Sequence, residues 1–383
     1  MKHLLFLTAF TTLALALNAQ EIHFPPKNGP WAKMDAEKAK MDPDALLKAV
    51  QFAKENEYSG SRDLRIAILK GFEREPYHEI LGPTKKRGGP AGMILKNGYL
   101  VASWGATDRV DMAFSVTKSF LSTVAGLAVD HKLIANTADR VANYVWDGTF
   151  GGEHNGKITW TQLLQQTSAW SGTLWGVKDW ADRPPREGGV DDWKFEAPKA
   201  PGTVMEYNDV RVNVLAYALT HVWRKPLPMV LKEQIMDPIG ASTTWRWHGY
   251  GDAWTEIDGL RMKSVTGGGH SGGGIFMTAQ DMARFGLLFL NNGGWEDKQP
   301  ISEAWIKEAL APSKANPNYG YMWWLNEQGN RYWENLPEHL FYAAGFGGNF
   351  IVVDQERGLV VVTRWLEPNK MGDFMRLLYA AMR

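Results

Sequence analysis

The sequence predicts an α+β fold, an α/β sandwich. One antiparallel sheet is built from N- and C-terminal segments and flanked by helices, with an all-helical domain inserted between them. Three observations predict it. Strand-like runs gather toward the two ends, helical periodicity fills the middle, and no internal repeat divides the chain. On this reading one unit spans residues 20–382, with an α/β part at 40–110 plus 270–383 and a helical part at 111–269.

Residues 1–19 read as a signal peptide. Lys2 and His3 precede an apolar run from Leu4 to Leu17, small residues follow, and cleavage falls after Ala16 or Ala19. The run is shorter than the roughly 20 residues a spanning helix needs. The expectation is therefore a removed leader, a bacterial periplasmic or secreted protein, and no stable membrane span afterwards. "PDALLKAVQFAKENE" (Pro43–Glu57) has helical periodicity and an early proline. Arg65–Gly71 reads as a strand. Gly92–Gly105 reads as a hairpin turning at Asn97-Gly98. Ser115–Lys132 is a long, mostly apolar helix, and Thr159–Ser168 a shorter one capped by Thr159 or Thr161. The Trp-, Pro- and Gly-rich stretch Ala169–Thr203 reads as loop. Helices follow at Asp209–Trp223 and Leu227–Gly240. "GIFM" (Gly274–Met277) is a short strand, and Thr278 caps the helix of "AQDMARFGLLFLNNGG". Tyr319–Asn326 reads as a strand, Gly348–Trp365 as strand, turn and strand, and Gly372–Met382 as the closing helix.

The apolar fraction of 44% and charged fraction of 22% are those of an ordinary soluble globular protein. Lys+Arg and Asp+Glu are both 42, and no basic tract stands out, so no nucleic-acid partner is expected. The absence of cysteine excludes disulfides, a thiol nucleophile, a cysteine zinc site and a lipid-modified N-terminal cysteine. The nine histidines are scattered without metal-ligand spacing, and no organic cofactor motif is present, so neither metal nor cofactor is expected. The 18 tryptophans are many, and Trp170, Trp175, Trp180, Trp193, Trp245, Trp247 and Trp254 crowd into loop-like stretches. Exposed tryptophan is costly, so Trp170 and Trp175 are read as candidate walls of a substrate pocket.

Two serines compete for a catalytic role. Gly269-His270-Ser271-Gly272-Gly273 satisfies G-x-S-x-G, the nucleophile elbow. An elbow needs a buried strand before the serine and a helix after it. Here a polar, glycine-rich run precedes Ser271, and glycines and a strand follow, so Ser271 and His270 read as a tight loop beside a pocket. The other serine lies in "FSVTKSF". Ser115 and Lys118 form S-x-x-K, and residues three apart share a helix face. A serine hydroxyl needs a base, and a lysine buried among Val116, Phe120, Leu121, Val124 and Leu127 can serve once burial lowers its pKa. S-x-x-K alone arises about once by chance in a chain of this length, so its neighbours decide.

"FSVTKSF", then "LLQQTSAWSG", "EYNDVRVNVLAYAL" and "YAAGFGGNFIVVDQERGLVVV", resembles the serine β-lactamase and penicillin-binding superfamily over residues 90–380, most of all its class C β-lactamase, esterase and 6-aminohexanoate-dimer hydrolase branches. The resemblance implies the β-lactamase/DD-peptidase fold and an acyl-enzyme on Ser115, with Lys118 as base. Tyr207 would be the proton-shuttling phenol of a Tyr-x-Asn motif. The backbone N–H groups of Ser115 and of Ala344 or Gly345 would form the oxyanion hole. Two positions depart from the family. Asp209 stands where Asn is frequent, and Ala343-Ala344 where relatives carry a cation. Arg364 or His339 could supply that cation from elsewhere. The implied function is an exported serine hydrolase acting on small esters or linear amides, with Asp209 and Tyr342 also facing substrate. The alternatives are a class C-type β-lactamase or DD-peptidase, and a non-catalytic penicillin-binding sensor.

Overall fold

Asp42 opens the first helix. Its carboxylate accepts the Ala45 N–H and Pro43 begins the first turn, so α1 runs Pro43–Glu55. The computed structural model describes residues 22–27, 29–327 and 333–383, and the leader expected over residues 1–19 lies outside them. Asp63 caps α2 (Leu64–Gly71) by accepting the Arg65 N–H. The strand expected there is therefore a helix, because Leu64, Ala67 and Ile68 are buried at helical spacing.

The hairpin of β1 (Ala91–Lys96) and β2 (Tyr99–Trp104) turns at Asn97 and Gly98, with φ of 48° and 82°. Two left-handed residues are what a type I′ turn requires. β3 (Asp111–Met112) leads into a 3₁₀ turn, Phe114–Val116, and then α3 (Thr117–Asp130). Ser115 thus sits in the turn, two residues before the α-helix expected to contain it. α4 (Gly152–Asn155) is short, and α5 (Trp160–Leu164) starts at Thr159, where Gln162 completes a capping box. The expected loop 169–203 carries a small hairpin, β4 (Thr173–Leu174) with β5 (Val177–Lys178), and a one-turn helix, α6 (Val190–Lys194).

Asn208 caps α7 (Asp209–Trp223). α8 (Leu227–Leu231) continues as a π-helical turn over Lys232–Met236. β6 (Arg246–His248) and the hairpin β7 (Trp254–Ile257) with β8 (Leu260–Lys263) follow. The middle of the chain is therefore not all-helical. β3 and β6 flank β9 (Gly274–Met277) in a three-stranded sheet that ties the middle to the C-terminal part. Thr278 caps α9 (Ala279–Leu290), and α10 (Glu303–Ala309) precedes β10 (Trp324–Leu325). Only those two residues of the strand expected at 319–326 pair with β11 (Phe341–Gly345). Upstream of them Met322 turns to φ 61° and its N–H bonds to Leu164 O.

β12 (Asn349–Asp354), β13 (Leu359–Arg364) and α11 (Met371–Ala380) complete the chain. The main sheet runs β10-β11-β12-β13-β1-β2, antiparallel throughout, so N- and C-terminal segments meet where Ala91 pairs with Arg364 and Lys96 with Leu359. α9 lies close on one face: a Cβ on Gly286 would come within 2.8 Å of Ile351. Val50 of α1 and Phe374 of α11 pack with Val352 and Val361 on the other. α3 is sheathed in apolar side chains, and Phe120 stacks on Phe285 of α9 with centroids 3.7 Å apart. Burial of that kind fixes the start of α3, and with it the position of Ser115.

Candidate active site

Phe114 sets the geometry at Ser115. Its backbone is left-handed, φ 51°, and its buried ring is wedged against Phe346 and Trp365. A non-glycine residue held there costs about 1–3 kcal/mol and persists only where packing enforces it. Lys118 follows at i+3 on the first turn of α3 and is 1% exposed. Its Nζ lies 2.9 Å from Ser115 Oγ and 2.5 Å from Asp209 Oδ1. Gly268 forms the floor. A Cβ there would sit 2.6 Å from Asp209 Oδ1 and 2.9 Å from Lys118 Nζ, so only glycine leaves the pair room. The end of β11 closes the other side, since a Cβ on Gly345 would lie 3.3 Å from Ser115 N and 2.3 Å from Ala113 O.

The electrostatics differ from the sequence expectation. Burial alone would push the Lys118 ammonium down, but the Asp209 carboxylate opposes this and the net shift is upward. Lys118 is therefore a charged donor in the resting site, not a neutral amine. Burial would likewise raise Asp209, but Lys118, Arg183 and His270 hold it far below the usual carboxylate range. Asp209 is bridged on both sides, with Lys118 on Oδ1 and Arg183 Nη1 2.7 Å from Oδ2. Tyr207 stands just before the α7 cap. Its ring carries Lys118 Nζ at 4.8 Å and the Arg183 guanidinium at 5.1 Å, and stacks on Trp324 at 5.8 Å.

These groups open onto a cavity of about 720 Å³. Ser115, Tyr207, Asp209, Tyr342, Ala344 and Gly345 line it, so the structure brings together most of the residues singled out from sequence. Trp170 and Trp175 do not line it. Trp170 is core, with its indole N–H donating to Thr149 O, and Trp175 packs on Tyr217 and Tyr250. Arg364 does not line it either. Its buried fork donates to Met277 O and Met112 O, joining the two sheets. His339 pairs with Asp354 at 2.8 Å on the far part of β12. Ser271 is buried, and its carbonyl accepts the Leu81 and Gly82 N–H groups, which ties down the glycine-rich loop.

Sequence reasoning missed the aromatic walls. Trp324, Trp333 and Phe350 line it in one ring cluster around Tyr342, and Tyr58, Phe72 and Phe346 in another. It also missed Arg183 and the charged chain behind it. Arg183 Nη1 meets Asp182 Oδ1 at 2.6 Å, Nη2 meets His270 Nδ1 at 3.2 Å, and His270 Nε2 meets Glu75 Oε2 at 2.5 Å. Histidines scattered in sequence come together here, with the His78 and His270 rings 5.0 Å apart. Glu75, His78 and His270, and also Asp182, Asp209 and His270, place potential metal-ligand atoms within 4.8 Å of one another. The second group already encloses the Arg183 guanidinium. In the first, the His270 ring is already engaged at both nitrogens, Nδ1 with Arg183 Nη2 at 3.2 Å and Nε2 with Glu75 Oε2 at 2.5 Å.

The family model described as Beta-lactamase matches residues 82–380. The chain belongs to the beta-lactamase family. Solved structures share the fold of this beta-lactamase-family chain at low identity. A penicillin-binding protein homologue from Caulobacter crescentus is 17% identical, with a TM-score of 0.59 over 89% of this chain and 98% of that one. A family VIII carboxylesterase is 17% identical, with a TM-score of 0.58 over the same shares. A candidate 6-aminohexanoate-dimer hydrolase from Bacillus anthracis is 17% identical, with a TM-score of 0.56 over 94% of this chain and 88% of that one. The fold is that of the beta-lactamase and penicillin-binding hydrolases.

Proposed function

We propose that this chain is an exported serine hydrolase of the bacterial periplasm or exterior that cleaves small esters or linear amides through an acyl-enzyme on Ser115. The observation that carries the reading is the Ser115 Oγ–Lys118 Nζ contact of 2.9 Å at the mouth of an aromatic cavity, with Gly345 packed on the nucleophile's backbone. Ser115 Oγ attacks the carbonyl carbon, and its proton passes to Lys118 in that residue's neutral form. The N–H groups of Ser115 and of Ala344 or Gly345 receive the developing oxyanion. Tyr207 carries the proton on to the leaving group, and water then releases the acyl group from Ser115. The leader-like sequence of residues 1–19 supports export.

Esters and linear amides are favoured over β-lactams by the lining of the cavity. Among its described residues the one guanidinium, Arg183, already faces Asp182 and Asp209, and the neighbouring strand offers Ala343 and Ala344. A substrate carboxylate therefore meets no uncommitted cation there. Nitrocefin, short p-nitrophenyl esters, D-Ala-D-Ala peptides and the 6-aminohexanoate dimer, assayed side by side, test the reading. Turnover of esters or the linear dimer is expected. Turnover confined to nitrocefin or the D-Ala-D-Ala peptide would replace the substrate class, and a stoichiometric burst without turnover would point to a sensor.

A further inference from the structure

Arg183 comes to the nucleophile from a loop far from it in sequence, and every part of it is held. Its backbone is left-handed at φ 50°, and its N–H donates to Glu75 Oε1 at 3.1 Å. Its guanidinium lies over the rings of Tyr207 and Phe72, at 5.1 and 5.4 Å. Asp182 alone would satisfy its charge, at 2.6 Å from Nη1. The same nitrogen nevertheless also reaches Asp209 Oδ2 at 2.7 Å, on the opposite side of the carboxylate from Lys118. Asp182 is fixed in turn, because one oxygen accepts the Asp209 and Val210 N–H groups at the start of α7.

This placement bears on how Lys118 can act. A buried ammonium 2.5 Å from an undivided carboxylate is a poor proton acceptor, because giving up its charge forfeits a strong attraction at low dielectric. A second cation on the far oxygen divides that attraction and repels the ammonium directly. We propose, on the reading of Ser115 and Lys118 given above, that Arg183 is a positioning residue that shares the Asp209 carboxylate with Lys118 and so frees Lys118 to take the Ser115 proton. Lys118 first releases its own proton to water; then, as Ser115 Oγ bonds to the carbonyl carbon and the carbonyl π pair moves to oxygen, the Ser115 proton passes to the neutral Lys118 Nζ.

The charged and titratable groups around the pair come from several segments, and the buried phenols of Tyr250 and Tyr319 also interact with Asp209. α7 and the residues before it bring Asp209 and Tyr207. The loop after β5 brings Asp182 and Arg183, the loop before β9 brings His270, and the segment after α2 brings Glu75 and His78. Burial holds His78 neutral, with its pKa lowered to about 4. With His78 silent, the fixed positive charge nearest the Asp209 carboxylate other than Lys118 is Arg183.

The test is the pH dependence of kcat/KM toward p-nitrophenyl acetate for wild type, Arg183→Gln, Asp209→Asn, the double variant and Ser115→Ala. Arg183→Gln should displace the rising limb by about one pH unit toward alkali, which reads as a loss of about tenfold at any pH on that limb. Asp209→Asn should displace the limb toward acid. Adding it to Arg183→Gln should restore the limb to the position of Asp209→Asn within about half a unit, a coupling that a merely structural role would not produce. A wild-type limb in Arg183→Gln, or a double variant as impaired as Arg183→Gln, overturns the proposal. Should Arg183→Gln fail to fold, Asp209→Asn decides alone, and a limb at or above the wild-type pH overturns it. Ser115→Ala separates the two levels. Turnover retained there removes the underlying reading and the proposal with it, whereas turnover lost there with an unmoved Arg183→Gln limb removes the proposal only.

Discussion

Gly268 shows how little room a single residue leaves the chemistry. A methyl at that position would lie 2.6 Å from Asp209 Oδ1 and 2.9 Å from Lys118 Nζ, and one of the two must move. Displacements of that size near reacting atoms cost about 100-fold. Gly268→Ala is accordingly expected to lower kcat by about that factor while KM stays within about threefold, read from steady-state ester hydrolysis. Tyr207→Phe separates phenol from ring. The stack on Trp324 and the contact with Lys118 persist, but the proposed proton carrier is gone, so kcat should fall by about 100-fold or more with an unchanged melting temperature. Ser115, Lys118 and Tyr207 were legible in sequence because their spacing and order carry a resemblance. Arg183 was not. Its contacts with Asp209 and His270 depend on loops that close far along the chain, and nothing within "ADRPP" marks it. Asp209 was legible as a position, but not as the counter-charge that keeps Lys118 protonated.

At the scale of elements, the starts of α5 and α9 were written locally and were read correctly. Thr159 and Thr278 each accept an N–H three residues on, with Gln162 and Asp281 answering in reverse. Thr278→Ala should cost about 1 kcal/mol of stability, seen as a lower urea midpoint, and leave kcat/KM per folded molecule unchanged because Thr278 lines no part of the cavity. α2 was misread for a physical reason. Ile66 and Leu69 are 56% and 42% exposed, so apolar residues on its outer face blur the helical stripe of Leu64, Ala67 and Ile68. Strands inside the middle segment were missed because β3, β4 and β5 are two residues each, too short to show alternation, and β3 exists only through β9, distant in sequence. Trp170 and Trp175 were misplaced for the converse reason. Loop-like sequence here folds inward, and Trp170 ends 3% exposed in the core.

Across the whole molecule, a large apolar cluster joins α3, α7 and α9, and buried charges bear on stability as well as on the proposed chemistry. His78 is kept neutral by burial, with its pKa lowered from 6.5 to about 4. Between those values the unfolded chain binds a proton that the folded chain refuses, so stability rises with pH across this window and is lost as pH falls through it. The melting temperature should therefore drop on acidification from about pH 6.5 toward 4, and His78→Gln should flatten that fall. The broad architecture was legible because strand and helix periods segregate along the chain. The cavity walls were not, since Tyr58, Phe72, Trp333 and Phe346 converge from segments that carry no shared pattern. The central claim is that Ser115 is the nucleophile. It is tested most directly by mapping the adduct left by a fluorophosphonate probe, using mass spectrometry of the digested protein. The account predicts a modified peptide containing Ser115 that disappears in Ser115→Ala and persists in Ser271→Ala. An adduct on Ser271, or labelling and turnover that survive Ser115→Ala, would contradict it.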